Sequence, residues 1–211
     1  MFSYKSLKSG TDIRGVASEG GGASVNLTDE VVERIAGGFL IWCEKHLEKP
    51  AAELKIAVGH DSRISADRIS AALCRAFTPC GVQVLDCGLA STPSMFMATL
   101  ELPCDCAVQI TASHHPFFRN GLKFFTPAGG LDSPDISEIL AYAEAGEAPS
   151  PAAGGSVTPT DYMTRYAANL REMIKDGVAA PDRDHPLQGF KIVVDAGNGA
   201  GGFYATEVLE P

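Results

Sequence analysis

One pattern constrains this chain more than any other: short apolar runs alternate with stretches of helical spacing. Leu54-Lys-Ile-Ala-Val58, Gly81-Val-Gln-Val-Leu85, Asp105-Cys-Ala-Val-Gln-Ile110 and Leu122-Lys-Phe-Phe125 read as strands. Between Thr28 and Glu48, Val31, Val32, Ile35, Phe39, Trp42, Cys43 and Leu47 fall on one helical face, with Thr28 as N-cap and acids in the first turn. Ser65 is expected to cap a helix to Phe77, and Pro93 to start one to Leu100. Asp132 or Ser133, with Pro134 behind it, opens another that ends near Ala145. Such alternation predicts an α/β fold, a mixed and mostly parallel sheet sandwiched by helices. These sheets bind ligands at the carboxyl ends of their strands. Gly59-His-Asp-Ser-Arg63, Gly88-Leu-Ala-Ser-Thr-Pro93 and Thr111-Ala-Ser-His-His-Pro116 all follow strand ends, so the three are predicted to share one rim.

Residues 1–150 are read as one domain. The stretch 146–159, GEAPSPAAGGSVTP, has a linker composition. Thr160 or Asp161 then caps an amphipathic helix carrying Tyr162, Tyr166, Leu170, Met173 and Ile174. Phe190-Lys-Ile-Val-Val194 reads as a further strand, and Asp195–Gly202 as the turn into a further helix. One strand and one helix do not make a sheet domain. Residues 151–211 are therefore expected to be a linker, a helix and the incomplete beginning of a second α/β unit. Ile192, Val194 and Val208 are expected to be exposed there.

The 211 residues are 45% hydrophobic and 20% charged, enough for a real core, with a net charge of −9. That charge argues against general binding of nucleic acid or a membrane surface. It does not argue against a small anion, which local cations and backbone amides can hold. No run approaches the ~18 apolar residues of a membrane-spanning helix. The segment MFSYKSLKSG lacks the apolar stretch of a signal peptide. The six cysteines form no CxxC pair, and several lie in apolar runs; reduced thiols and a cytoplasmic setting are expected.

Several motifs bear chemistry. Gly10-Thr-Asp-Ile-Arg-Gly15 is either a surface hairpin with a solvated Arg14 or a turn whose arginine grips a phosphate through paired hydrogen bonds. In Gly59–Ser65 the structural account is simplest: Asp61 pairs with Arg63 and Ser65 caps, with a role in orienting the rim as the secondary reading. Ser113 is a candidate nucleophile, but a serine hydroxyl needs a nearby base or a good electrophile. A hydrolase using Ser113 and His114 would be expected to show GxSxG, which is absent. His114 and His115 are neighbours rather than i,i+4 on a helix, a poor zinc spacing. A polar turn remains open. Lys123 begins the following strand, and a loop that leaves one strand and returns as the next can bring it back beside Ser113. There it could shuttle a proton or act as a point charge for phosphate. Gly197, Gly199 and Gly202 formally satisfy GxGxxG, for which close strand-to-helix packing is the simpler account than a nicotinamide site.

Taken together, GTDIRG, GHDSRIS, GLASTP, TASHHPFFRNGLKFF and KIVVDAGNGAGG, in this order and spacing, resemble the phosphomannomutase/phosphoglucomutase branch of the α-D-phosphohexomutase family. The resemblance spans the whole chain, and TASHHP with the downstream Asn120-Gly-Leu-Lys123 is its most specific part. It implies domain 1 of a four-domain enzyme followed by the opening of domain 2. By position, Ser113 is the serine phosphorylated in the resting enzyme. It would pass its phosphoryl group to a hexose 1- or 6-phosphate and recover the other from a hexose 1,6-bisphosphate after the sugar turns over. The resemblance further implies that Arg14 contacts phosphate, that Lys123 transfers a proton, and that His114 lies beside the phosphoserine. Mg²⁺ would bind Ser113 through its phosphate, with three aspartates of a domain 2 loop that this chain does not contain. His115 departs from the family pattern, which commonly has asparagine there though histidine also occurs; it is grouped with Arg14 and Lys123 as substrate-binding.

These expectations give a hexose-phosphate partner and no nucleic acid or membrane. The sugar and the oligomeric state are not readable; glucose and mannose phosphates are placed ahead of glucosamine phosphate. Lacking the metal aspartates and later substrate loops, the 211 residues alone are expected to be inactive. A serine hydrolase and a non-catalytic stand-alone domain are the competing readings.

Overall fold

The computed structural model describes residues 2–211. The chain divides into a unit ending at Thr160 and a unit from Asp161 to Pro211.

The first unit is built on one sheet. Its strands are β1 (Lys8–Ser9), β2 (Asp12–Val16), β3 (Lys55–His60), β4 (Gln83–Leu89), β5 (Cys106–Ile110), β6 (Arg119–Thr126), β7 (Gly129–Gly130) and β8 (Ser156–Pro159). They lie in the order β1-β2-β6-β5-β3-β4-β8, with β7 beside β6. β3 pairs in parallel with β4 and β5, and β4 with β8. The pairs β1–β2, β2–β6, β5–β6 and β6–β7 are antiparallel. Following these pairings, β2, β3, β4, β5, β7 and β8 all point one way; β1 and β6 oppose them. The sheet is thus mixed and mostly parallel, as the alternation predicts.

Helices α1 (Asp29–Leu47), α2 (Ala66–Phe77), α3 (Thr92–Glu101) and α4 (Ser133–Ala145) flank it. α1 lies between α2 and α4 on one face, and α3 packs on β3, β5 and β6. Period-2 alternation separates the faces. Ile56 and Val58 enter the main core with Phe39, Phe77 and Phe124, where the Phe39 and Phe124 rings are 4.4 Å apart. Gly59 faces α3 instead: a Cβ there would come within 2.5 Å of Met95 Sδ. Each fully buried Val, Ile or Phe contributes about 1.5–3 kcal/mol.

Helix starts follow their capping residues. Thr28 Oγ1 accepts from the Val31 N–H at 3.3 Å. Reciprocal capping boxes, each followed by proline, open α3 at Ser91/Ser94 and α4 at Asp132/Asp135. Ser65 differs from expectation. It makes no side-chain cap for α2, because its hydroxyl accepts from Asn120 Nδ2 at 3.0 Å.

The stretch 146–159 is not only a connector. Its last residues form β8, an exposed edge strand paired with β4. In the second unit, Asp161 caps α5 (Tyr162–Val178), which buries Tyr162 and Tyr166 but leaves Met173 of the predicted apolar face 66% exposed. Phe190–Val194 is not a strand. A strand requires a partner to take its amides, and no other strand is present among the described residues of this unit. Phe190, Ile192, Val193 and Val194 are exposed, whereas Val208 is buried, contrary to expectation. Ala200–Gly202 is a 3-10 turn and Ala205–Leu209 a π-helical turn, in place of the predicted continuous helix. At Gly197 an added Cβ would meet nothing within 4 Å, so close strand-to-helix packing does not explain that glycine; its φ of +54° does.

No helix among the described residues is long and apolar enough to cross a membrane. The six cysteines are free, with Cys43 and Cys106 Sγ 3.7 Å apart in the core.

Candidate active site

β5 ends at Ile110, and the chain leaves the sheet as Thr111–Phe118 before returning as β6. Both ends of this loop are fastened. The Thr111 N–H donates to Gly121 O at 3.0 Å, and Ala17 and Ser18 N–H both donate to Phe118 O. Gly121 has no room for a side chain, since a Cβ would lie 2.2 Å from Ile13 O of β2. That close approach accounts for the glycine of the Asn-Gly-Leu-Lys motif. Asn120, fully buried, ties the loop end to Ser65 at the start of α2.

Within the loop Ser113 is exposed and adopts φ +54°, a left-handed conformation for a residue with a side chain. Its backbone is held from both sides. The Ser113 N–H donates to Thr111 Oγ1 at 2.9 Å, and its carbonyl accepts from Arg63 Nη2 at 2.6 Å. Thr111 Oγ1 in turn donates to Asp61 Oδ2 at 2.7 Å. Asp61 also receives Arg63 Nε at 3.1 Å, so the predicted Asp61–Arg63 pair is present.

The antiparallel β2–β6 pairing brings the cations in. Ile13 is opposite Leu122, which sets Asp12 opposite Lys123 on the next rung. Lys123 Nζ donates to Asp12 Oδ1 at 2.7 Å. Arg14 Nη2 donates to Asp12 Oδ2 at 2.6 Å and to Ser113 Oγ at 3.2 Å. A continuous polar chain therefore runs Ser113–Arg14–Asp12–Lys123. β1 and β2 do form the hairpin foreseen for GTDIRG, with Gly10 at φ +64° in the turn. Arg14 is nonetheless not solvated; its side chain is 11% exposed.

His114 and His115 stack on each other, ring centroids 4.9 Å apart. Among the described residues no hydrogen bond joins His114 to Ser113, so nothing couples them as base and nucleophile. His115 is held below the ordinary histidine value, first by burial and then by the positive charges of Arg14 and Arg119. The mouth of the site is thus electropositive within an acidic chain, which suits an anionic ligand.

Of the residues foreseen from sequence, Ser113, Arg14 and Lys123 converge, and His114 and His115 flank them. Asp12 and Thr111 were not foreseen; Arg63, beyond its pair with Asp61, also orients the rim, the secondary reading of its segment, by binding the loop carbonyls. Strand alternation is the signal that could have found Asp12, since residues two apart share a face. Among the described residues no group of three or more His, Cys, Asp or Glu side chains could hold a metal ion. Asp12 and Asp61 are both engaged by cations. The residues present therefore do not by themselves fit the Mg²⁺ that the resemblance implies.

Comparisons with known proteins agree on one family. The model described as phosphoglucomutase/phosphomannomutase, alpha/beta/alpha domain I, matches residues 6–150. A phosphoglucosamine mutase of Pediococcus pentosaceus is 32% identical over 209 residues, covering 95% of this chain and 42% of its own length. One from Corynebacterium jeikeium is 35% identical over 157 residues, 71% of this chain and 33% of its own. The chain thus spans less than half the length of these curated relatives. In fold it is similar to a Burkholderia thailandensis phosphoglucomutase/phosphomannomutase family protein, with TM-score 0.65, 23% identity, and coverage of 81% of this chain and 36% of that one. It is also similar to the Paramecium phosphoprotein pp63/parafusin in its open form, with TM-score 0.60, 18% identity, and coverage of 85% and 37%.

Proposed function

The chain belongs to the α-D-phosphohexomutase family, and from that membership we propose that it carries the phosphoryl-transfer half of a hexose-phosphate mutase site. The observation that carries this reading is Ser113: exposed, left-handed, at the carboxyl end of a strand, with its hydroxyl 3.2 Å from a guanidinium. A phosphoryl group on Oγ would meet Arg14 at once, and Lys123 stands one carboxylate away. Phosphoryl transfer asks mainly for positioning and charge stabilisation, so a serine without a partnered histidine is sufficient.

In the proposed reaction the Ser113 Oγ–P bond breaks as phosphorus bonds to a sugar hydroxyl. The hydroxyl proton passes to the departing Ser113 oxygen with Lys123 as carrier. The reverse step, from the other position of the bisphosphate, restores the phosphoserine and releases the isomerised monophosphate. Arg14 holds the phosphoryl oxygens throughout. His115 contributes a neutral ring at the mouth, and His114 stacks against it. Mg²⁺ and a hexose 1,6-bisphosphate belong to the full-length protein in this reading, and no step is drawn through the metal. Because several relatives are phosphoglucosamine mutases, amino-sugar phosphate joins glucose and mannose phosphates among the substrates of this reading. In domain terms, we read residues 1–150 as domain 1 and 151–211 as the linker, a helix and the incomplete beginning of domain 2, with Ser156–Pro159 of that span serving as an edge strand of the first unit's sheet.

The test is made on the natural full-length protein. Intact mass should show one phosphoryl group that Ser113→Ala removes, with turnover of glucose, mannose or glucosamine 1-phosphate lost in the same variant. The 211-residue chain alone should show negligible turnover. Labelling of Ser113 by an organophosphonate ester, without resident phosphate, would instead favour a hydrolase.

A further inference from the structure

We infer that Arg63 is the positioning residue of the Ser113 loop: its guanidinium fixes the backbone conformation that presents the nucleophile. The inference rests on the phosphoserine reading above.

Five N–H donors are available to a guanidinium, and here all five are occupied by the chain itself. Nε donates to Asp61 Oδ2 at 3.1 Å. Nη1 donates to the carbonyls of Pro116 at 2.8 Å and Arg119 at 3.0 Å. Nη2 donates to the carbonyls of Ser113 at 2.6 Å and His115 at 2.9 Å. Three carbonyls of the loop and that of Arg119, the first residue of β6, thus converge on a single cation, whose side chain is 10% exposed. No donor is left for a substrate phosphate. Arg63 therefore acts through Ser113 and not on the ligand.

A residue with a side chain held at φ +54° carries a cost of about 1–2 kcal/mol, and such a conformation persists only where its surroundings over-determine it. The two bonds on Ser113 do so in a specific way. Thr111 holds the amide that precedes Ser113 Cα, and Arg63 holds the carbonyl that follows it. With both peptide planes fixed, φ and ψ are fixed, and the direction of the Cα–Cβ bond follows. Asp61 serves both holders, accepting from Thr111 and from Arg63, so one carboxylate couples the two clamps. A lysine in place of Arg63 would keep the charge but lose the planar fork that reaches four carbonyls at once.

The experiment compares Arg63→Ala and Arg63→Lys with wild type in the full-length protein, reading amide exchange over residues 111–120, kcat and KM for hexose phosphate, and thermal midpoint. Arg63→Ala should speed exchange in that loop and lower kcat about 100-fold with KM within about twofold, the size expected when a reacting group is misplaced by about an ångström. Added guanidinium should restore part of kcat, which a merely destabilised protein would not allow. If Arg63→Ala does not fold, Arg63→Lys decides; it should lower kcat at least about tenfold with faster loop exchange. Wild-type kcat and wild-type loop exchange in both folded variants overturn the inference. So does a raised KM with kcat preserved, which would put Arg63 on the substrate. If wild type itself bears no phosphate and turns nothing over, the mutase reading fails, and loop exchange alone then decides whether Arg63 holds the loop.

Discussion

The hydroxyl of Ser113 accepts a hydrogen bond from the guanidinium of Arg14, 3.2 Å away and 99 positions earlier in the chain. Arg14 can be there because Asp12, 5% exposed, takes its charge on one carboxylate oxygen and Lys123 on the other. Asp12→Asn would leave two largely buried cations sharing a neutral amide. The expected outcome is a loss of stability on the order of 2 kcal/mol by chemical denaturation. Activity of the full-length protein should fall further than stability explains, since both cations lose their fixed positions. Unchanged denaturation and turnover would show that Asp12 does not organise the pair.

Thr111 gives a sharper contrast. Its hydroxyl donates to Asp61 and accepts from the Ser113 amide, and the residue is 4% exposed. Thr111→Ala removes one of the two bonds to Asp61 Oδ2, which keeps Arg63 Nε, and leaves the Ser113 amide without its partner, a cost of about 1–3 kcal/mol. Thr111→Ser keeps the hydroxyl and should restore phosphorylation of Ser113, measured as the phosphorylated fraction by intact mass. Equal phosphorylation in the two variants would refute the clamp.

Acid stability should report Glu138 on α4. Its hydrogen bond from Lys45, then those from His46 and Tyr142, hold its carboxyl down to about 2 from 4.5. A carboxyl depressed in the folded state stabilises it fully above the unfolded value, and that contribution is lost as pH falls from 4.5 towards about 2. The Lys45 side chain is 60% exposed, so solvent screening reduces the effect to about 1 kcal/mol. In Glu138→Gln, the thermal midpoint should depend less steeply on pH across that window. A parallel displacement of the whole curve would mean that the group's titration is not involved.

Much of this was legible in the sequence because it is local. Thr28, Asp132 and Pro134 open helices by contacts within one turn, and the alternation of Ile56, Ala57 and Val58 sorts two faces without further knowledge. Ser113 announces itself by residue type just past a strand end, and Arg14 and Lys123 by residue type inside short polar motifs. The rest depends on register. Asp12 meets Lys123 only because β2 pairs antiparallel with β6, 111 positions apart, and Arg63 finds its four carbonyls only once β3 and β5 lie side by side. Ser65 fails as a cap for the same reason, its hydroxyl being taken by Asn120 from another element. Phe190–Val194 has strand propensity but no partner strand, and propensity without pairing leaves amides unsatisfied.

β8 carries a consequence for solubility. It is the outermost strand beside β4 and is exposed along its length. The Ser156 and Thr160 amides point inward, to Val82 and Asp86 carbonyls, so by alternation the outward donors belong to Val157 and Pro159. Proline has no N–H to offer. The open margin of the sheet therefore shows one backbone donor where a four-residue strand would ordinarily show two. A margin so blunted is a poor template for a neighbouring molecule's strand, and this end of the sheet resists edge-to-edge aggregation without needing a charge to repel it.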